Sequence, residues 1–128
     1  MGDYRDLIVF QKAFALAMDI KTISESFPVE EKYSLTDQVR RSSRSVCVNL
    51  VEGYRKRRYP AHFVSKVSDS DMENSETQVW IDFAQACKYI DDETAHDFRM
   101  RSEEVGRILQ ARQDNPEKFL PKNDKNKK

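Results

Sequence analysis

Turn-forming residues are scarce: the chain has three glycines and four prolines in 128 residues. That is too few for the many turns of a β-sandwich or barrel and favours long uninterrupted elements. Cysteine is equally scarce. Cys47 and Cys87 fall inside helical patterns and no signal peptide precedes them, so two reduced thiols in a cytoplasmic protein are expected. The only histidines, His62 and His96, share no helical spacing with each other or with either cysteine. No metal site and no cofactor are therefore expected. No apolar run approaches the roughly 18 residues of a membrane span. The formal net charge is zero, which leaves no global field to draw the chain to nucleic acid or membrane.

What is present is charge, unevenly distributed. Residues 38–68 carry eight Lys and Arg against Glu52 alone, a balance of +7. Residues 69–104 carry eleven acids against Lys88, Arg99 and Arg101, a balance of −8. Two such stretches satisfy each other across a helix pair or between subunits. A length of 128 residues suits one domain, large enough to bury a core without disulfides or metal.

Helical spacing recurs along the whole chain. Asp3 or Asp6 caps a first helix beginning near Leu7, whose apolar face is Phe10, Ala13, Phe14, Ala17, Ile20, Ile23 and Phe27. Pro28 is expected to end it. Glu30 and Glu31 lead into a second helix with Ser34 or Thr36 as its N-cap, running towards Arg58. Gly53 inside it marks close approach by another helix rather than a stop.

Pro60 suits the first turn of a third helix. Phe63, Val64 and Val67 begin its expected buried face, and Val79, Phe83, Ala86, Cys87 and Ile90 finish it. The polar middle at 68–76 either splits this segment or, as preferred, lies within one helix of roughly 30 residues, about 45 Å long. Acids at 91–93 start a fourth helix with the seam Ala95, Phe98, Ser102, Val105 and Leu109, where Gly106 permits a close crossing. Asn115 and Pro116 close it. Residues 1–120 are thus expected to form an all-α, antiparallel up-down-up-down four-helix bundle, and 121–128 a disordered basic tail.

The second helix carries two stripes. Val39, Ser42, Val46, Leu50 and Gly53 form the core seam, and Gln38, Arg41, Ser45, Asn49 and Glu52 form a polar stripe beside it. The polar stripe is read as an internal network of Gln38, Arg41, Asn49, Glu52 and Glu76. In it Arg41 pairs with Glu76 or Glu52, and Asn49 is hydrogen-bonded alongside. Glu73 and Glu76, with Asp71 and Asn74, imitate an acid site, but a carboxylate-bridged di-metal bundle needs carboxylates on several helices and usually a Glu-x-x-His pair. No such pair is expected here, and these acids are read as partners of Arg41 or its neighbours. No phosphate loop, nucleophile elbow or Cys-x-x-Cys occurs, and no catalytic residue is expected.

Nucleic-acid binding is the sharper reading. Tyr54-Arg55-Lys56-Arg57-Arg58-Tyr59 sets four cations between two aromatics, which suits phosphate contacts flanked by base stacking. Arg40 and Arg44 extend this basic surface. Cations at a helix C-terminus are also favoured by the helix dipole alone. Aromatics and apolar residues on more than one face of the first helix, with Val9, Leu16 and Met18 off its main seam, point to a subunit interface. In a ring, a weak patch would be multiplied by avidity.

The ordered motifs add up to a likeness. They are residues 6–13 (Asp-Leu-Ile-Val-Phe-Gln-Lys-Ala), Phe27-Pro28, Glu31, Gln38-Val39-Arg40-Arg41 followed by Ser45, Asn49, Glu52 and Gly53, then Glu76-Thr77-Gln78, residues 105–109 and residues 115–119. Over nearly its whole length the chain resembles the small four-helix-bundle family first noticed as proteins encoded in intervening sequences of bacterial 23S ribosomal RNA genes. The resemblance implies a cytoplasmic homo-oligomer, a pentamer, without established enzymatic activity. Related bundles are accessory proteins of diversity-generating retroelements, where a pentamer partners a reverse transcriptase and contacts nucleic acid. The chain departs from the family pattern at Ser70-Asp71, Asn74 and Arg44, and these changes suggest that Arg44 pairs with Asp69, Asp71 or Glu73. The resulting expectation is a non-enzymatic oligomeric scaffold binding RNA, single-stranded DNA or a ribonucleoprotein partner. The alternative is a protein-only adaptor whose basic patch makes subunit contacts.

Overall fold

The computed structural model describes residues 3–119. Four helices, α1 (Ile8–Ser24), α2 (Leu35–Arg55), α3 (Pro60–Ala86) and α4 (Asp92–Asp114), form an antiparallel up-down-up-down bundle. Each packs against its two neighbours around the ring, α4 closing onto α1. The tail expected at 121–128 lies outside the described residues.

Local chemistry sets the ends. Asp3 caps a short 3-10 turn, Tyr4–Asp6, through a capping box, so α1 begins at Ile8 with no side-chain cap of its own. It ends at Ser24, four residues ahead of Pro28, because the chain tightens into 3-10 bonds there. Arg40 also caps this end: its Nε donates to Ser24 Oγ at 2.8 Å and its Nη2 to the Lys21 carbonyl at 3.4 Å. Ser34 is the α2 N-cap residue without a side-chain cap bond. Glu31 does the capping, accepting from Ser34 Oγ at 2.6 Å and the Leu35 N–H at 3.4 Å. The second helix stops at Arg55 rather than Arg58. At the end of α3, Lys88 adopts φ 63° and the Tyr89 N–H reaches the Ala84 carbonyl, a Schellman closure made without glycine.

The third helix is continuous through 68–76. Phe63, Val67 and Ile90 are buried as expected, but Val79, Phe83, Ala86 and Cys87 are exposed, and the seam of the helix is Phe63, Val67, Ser70, Asn74, Thr77, Ile81 and Ala84. The three-and-four spacing from Phe63 runs straight through the polar middle, because small polar residues there find partners inside. Ser70 Oγ donates to the Val46 carbonyl at 2.7 Å, and Ser42 and Thr77 hydroxyls bond at 2.8 Å. Asn74 donates to the Ser102 carbonyl and accepts from Ser102 Oγ, both at 2.9 Å, while Gln78 also donates to Ser102 Oγ. Buried polar groups satisfied in this way do not pay the cost of an orphaned donor or acceptor. This belt separates two apolar clusters, one around Leu50, Phe63 and Leu109, the other around Ile20, Ile81 and Phe98.

Both helical glycines mark close approach. A Cβ on Gly53 would lie 3.2 Å from Lys66 Cβ, and one on Gly106 would lie 3.2 Å from Asn74 Nδ2. The expected seams of α2 and α4 are both buried.

Candidate functional site

The polar stripe of α2 lies along the α2–α3 groove, at the surface rather than inside. Arg41 Nη2 bonds Glu76, its Nη1 reaches Glu73 at 3.4 Å, and its Nε donates to Gln38 at 3.2 Å. Glu76 also accepts from Trp80 Nε1 at 3.1 Å. The Arg41 side chain is 44% exposed, so this is a solvated network and not the buried one expected. Asn49 stands apart from it, its Nδ2 donating to the Ser45 carbonyl one turn earlier in the same helix. Glu52 is taken by Lys66 at 2.7 Å, a bond that raises the Lys66 pKa. The basic and acidic stretches therefore meet within one chain, across α2 and α3.

The six basic candidates divide. Arg40 is the cap on α1 and only half exposed. Arg57 lies over the Tyr54 ring at 4.0 Å and donates from Nη1 to the Tyr54 carbonyl at 2.8 Å, closing the end of α2. Arg44 points to the α1–α2 side, away from Asp69, Asp71 and Glu73, so the compensating pair expected for it is not formed. Those acids belong instead to Lys66, Gln113 and Arg41. Arg55, Lys56 and Arg58 remain on the exposed corner between α2 and α3. Beside them Tyr59 is 58% exposed, its ring 6.2 Å edge-on from His62, with Lys56 Nζ 5.9 Å over it.

An apolar trough runs between α1 and α2, a volume of about 450 Å³ walled by Phe10, Phe14, Met18, Val48 and Val51, with Arg44 and Glu52 at its rim. Cys47 lies on its floor, where burial pushes the thiol pKa up to about 11. A thiol held protonated there is a packing group. On α3, Met72, Val79 and Phe83 form a second exposed apolar line. The sequence reading placed Val79 and Phe83 in the core and so missed this surface.

One further spacing was overlooked in the sequence. Glu93-Thr94-Ala95-His96 is a Glu-x-x-His, and it borders a cavity between α1 and α4 with Asp19, Asp97 and Arg101. Arg101 ties up both aspartates. Among the described residues no three His, Cys, Asp or Glu side chains converge as metal ligands, and no helix is long and apolar enough to cross a membrane.

No curated protein matches the chain. A solved crystal structure from Bacteroides thetaiotaomicron, a protein of unknown function from the S23 ribosomal protein family, superposes with a TM-score of 0.73. It covers 81% of this chain and 96% of its own at 24% identity, a likeness of fold. The family of 23S rRNA-intervening sequence proteins matches residues 5–111, which takes in all of α1, α2 and α3 and most of α4. The buried α2 seam, the belt across the core and the α4 seam all fall within that span, and the chain belongs to the 23S rRNA-intervening sequence protein family.

Proposed function

We propose that the protein is a non-enzymatic, cytoplasmic oligomeric scaffold that binds single-stranded nucleic acid through the corner between α2 and α3. The observation that carries this reading is the exposed group Arg55, Lys56 and Arg58 set around Tyr59 and His62. Cations on one turn meet successive phosphates, and an exposed aromatic offers a stacking face to a base without regard to sequence. Arg40 and Arg57 leave the proposed surface because their donors close helix ends.

Assembly strengthens the reading, since repeated weak corners on one oligomer bind one strand with avidity. The test is fluorescence anisotropy of a labelled single-stranded RNA with the wild type and with Arg55→Gln, Lys56→Gln, Arg58→Gln combined. Loss of binding in the triple variant is expected, and unchanged affinity would overturn the assignment. A second reading, the protein-only adaptor, draws on the acids Asp91, Asp92 and Glu93 at the opposite end of the bundle, which suit the basic corner of another copy. In that case the triple variant changes oligomeric mass and RNA is not bound at all.

A further inference from the structure

We propose that the α1–α2 trough is a binding site for a free medium-chain fatty acid, whose carboxylate pairs with Arg44 and whose alkyl chain lies along the trough towards Tyr4. The site is separate from the basic corner and does not depend on nucleic-acid binding.

The walls set the chemistry of the occupant. Phe14, Met18 and Val48 line the trough and are 51%, 50% and 56% exposed. With Phe10, Ala17 and Val51 they bound about 450 Å³, a volume in the range of small-molecule clefts. On the floor, burial keeps the Cys47 thiol neutral. Ordered water needs several polar partners, which these walls do not offer. An apolar occupant removes the exposed rings and branched chains from water instead. Phe10 to Met18 on α1 and Arg44 to Glu52 on α2 each advance eight residues, about 12 Å of helix. The volume is drawn out along the helix pair, the shape of an extended alkyl chain.

Charge sets the head group and its direction. Lys12, Lys21, Arg41 and Lys66 each pair with a carboxylate. Arg40, one turn before Arg44, spends its Nε and Nη2 on the end of α1. Arg44 is exposed at the rim, and no carboxylate among the described residues pairs with it. Because α1 and α2 are antiparallel, Arg44 and Met18 mark one end of the trough and Glu52 and Phe10 the other. Glu52 is already taken by Lys66 at 2.7 Å. A ligand carboxylate thus meets an available guanidinium, which can bond both of its oxygens, at the Arg44 end and a carboxylate at the other. Only one orientation of the chain satisfies both ends.

The experiment is isothermal titration calorimetry on the full chain with decanoate, and with decyltrimethylammonium as a probe of the same alkyl length and opposite charge, both kept below the concentration at which they form micelles. The wild type is expected to bind one decanoate per chain, at least tenfold more tightly than the cationic probe. Arg44→Glu is expected to reverse that preference, and Phe14→Gln with Val48→Gln to weaken both probes at least tenfold. All of these positions are exposed, and circular dichroism verifies that each variant remains helical. Absence of a saturable decanoate site, equal affinity of the wild type for the two probes, an unchanged preference in Arg44→Glu, or wild-type binding by the Phe14 and Val48 variant would each overturn the proposal.

Discussion

The contact between Gly106 and Asn74 provides a sharp test of the polar belt, because it predicts a change of sign. Alanine in place of a mid-helix glycine ordinarily gains about 1 kcal/mol. In this bundle the new Cβ would sit 3.2 Å from Asn74 Nδ2, so the amide would have to move by a few tenths of an ångström. Asn74 is not free to do so: both ends of its amide are bonded to Ser102 at 2.9 Å, and only 3% of the residue is exposed. Weakening two hydrogen bonds worth about 0.5–1.5 kcal/mol each cancels or reverses the gain. Gly106→Ala is therefore expected to be neutral or to cost up to about 2 kcal/mol. In an Asn74→Ala background the next neighbour is Asp71 Oδ1 at 3.9 Å, an ordinary contact, and the same substitution should stabilise by about 1 kcal/mol. The double-mutant cycle should give a coupling of about 1–3 kcal/mol. Urea unfolding followed by circular dichroism measures it, at one fixed chain concentration so that the apparent stabilities are comparable. Additivity within about 0.5 kcal/mol would refute the packing described for the belt.

Arg41→Met should cost no more than about 1 kcal/mol in thermal melting, the range of exposed ion pairs, and a loss above about 3 kcal/mol would place the pair in the interior after all. Lys88→Gly should raise stability by about 1 kcal/mol by removing the left-handed strain at φ 63°, and calorimetry showing a loss would contradict the strain argument. Hydrogen bonds from Ser34 and then Tyr89 hold the Glu31 carboxyl below its ordinary 4.5. Its contribution is thus present above that value and lost as pH falls through the lowered folded value. Glu31→Gln should accordingly flatten the acid limb of the melting temperature against pH, and an unchanged limb would argue against the cap.

Sequence spacing made α2 and α4 legible because their seams are built from residues whose burial is unambiguous: Val39, Val46 and Leu50, or Phe98, Val105 and Leu109. The same method misjudged α3, since it counts large apolar side chains. There the seam passes through Ser70, Asn74 and Thr77 while Val79 and Phe83 face out. Unbroken three-and-four spacing from Phe63 to Ala84 was the available signal. The basic surface was harder to read. Arg40 and Arg57 are indistinguishable from Arg55 in sequence, and only the position of a helix end, that of α1 for Arg40 and that of α2 itself for Arg57, decides which guanidinium becomes a cap. Arg41 and Glu76 do meet, but how much water reaches them depends on how deeply α2 and α3 sink together, which spacing does not encode.

The basic corner at the α2–α3 turn is tested most directly by the salt dependence of single-stranded RNA binding. For single strands the logarithm of the binding constant falls with the logarithm of salt by about 0.7 per phosphate neutralised. Wild-type protein should show a slope steeper than the triple variant lacking Arg55, Lys56 and Arg58 by about 2 for each corner engaged. Equal slopes and equal affinities would contradict the account, and would remove the corner from any role in nucleic-acid binding.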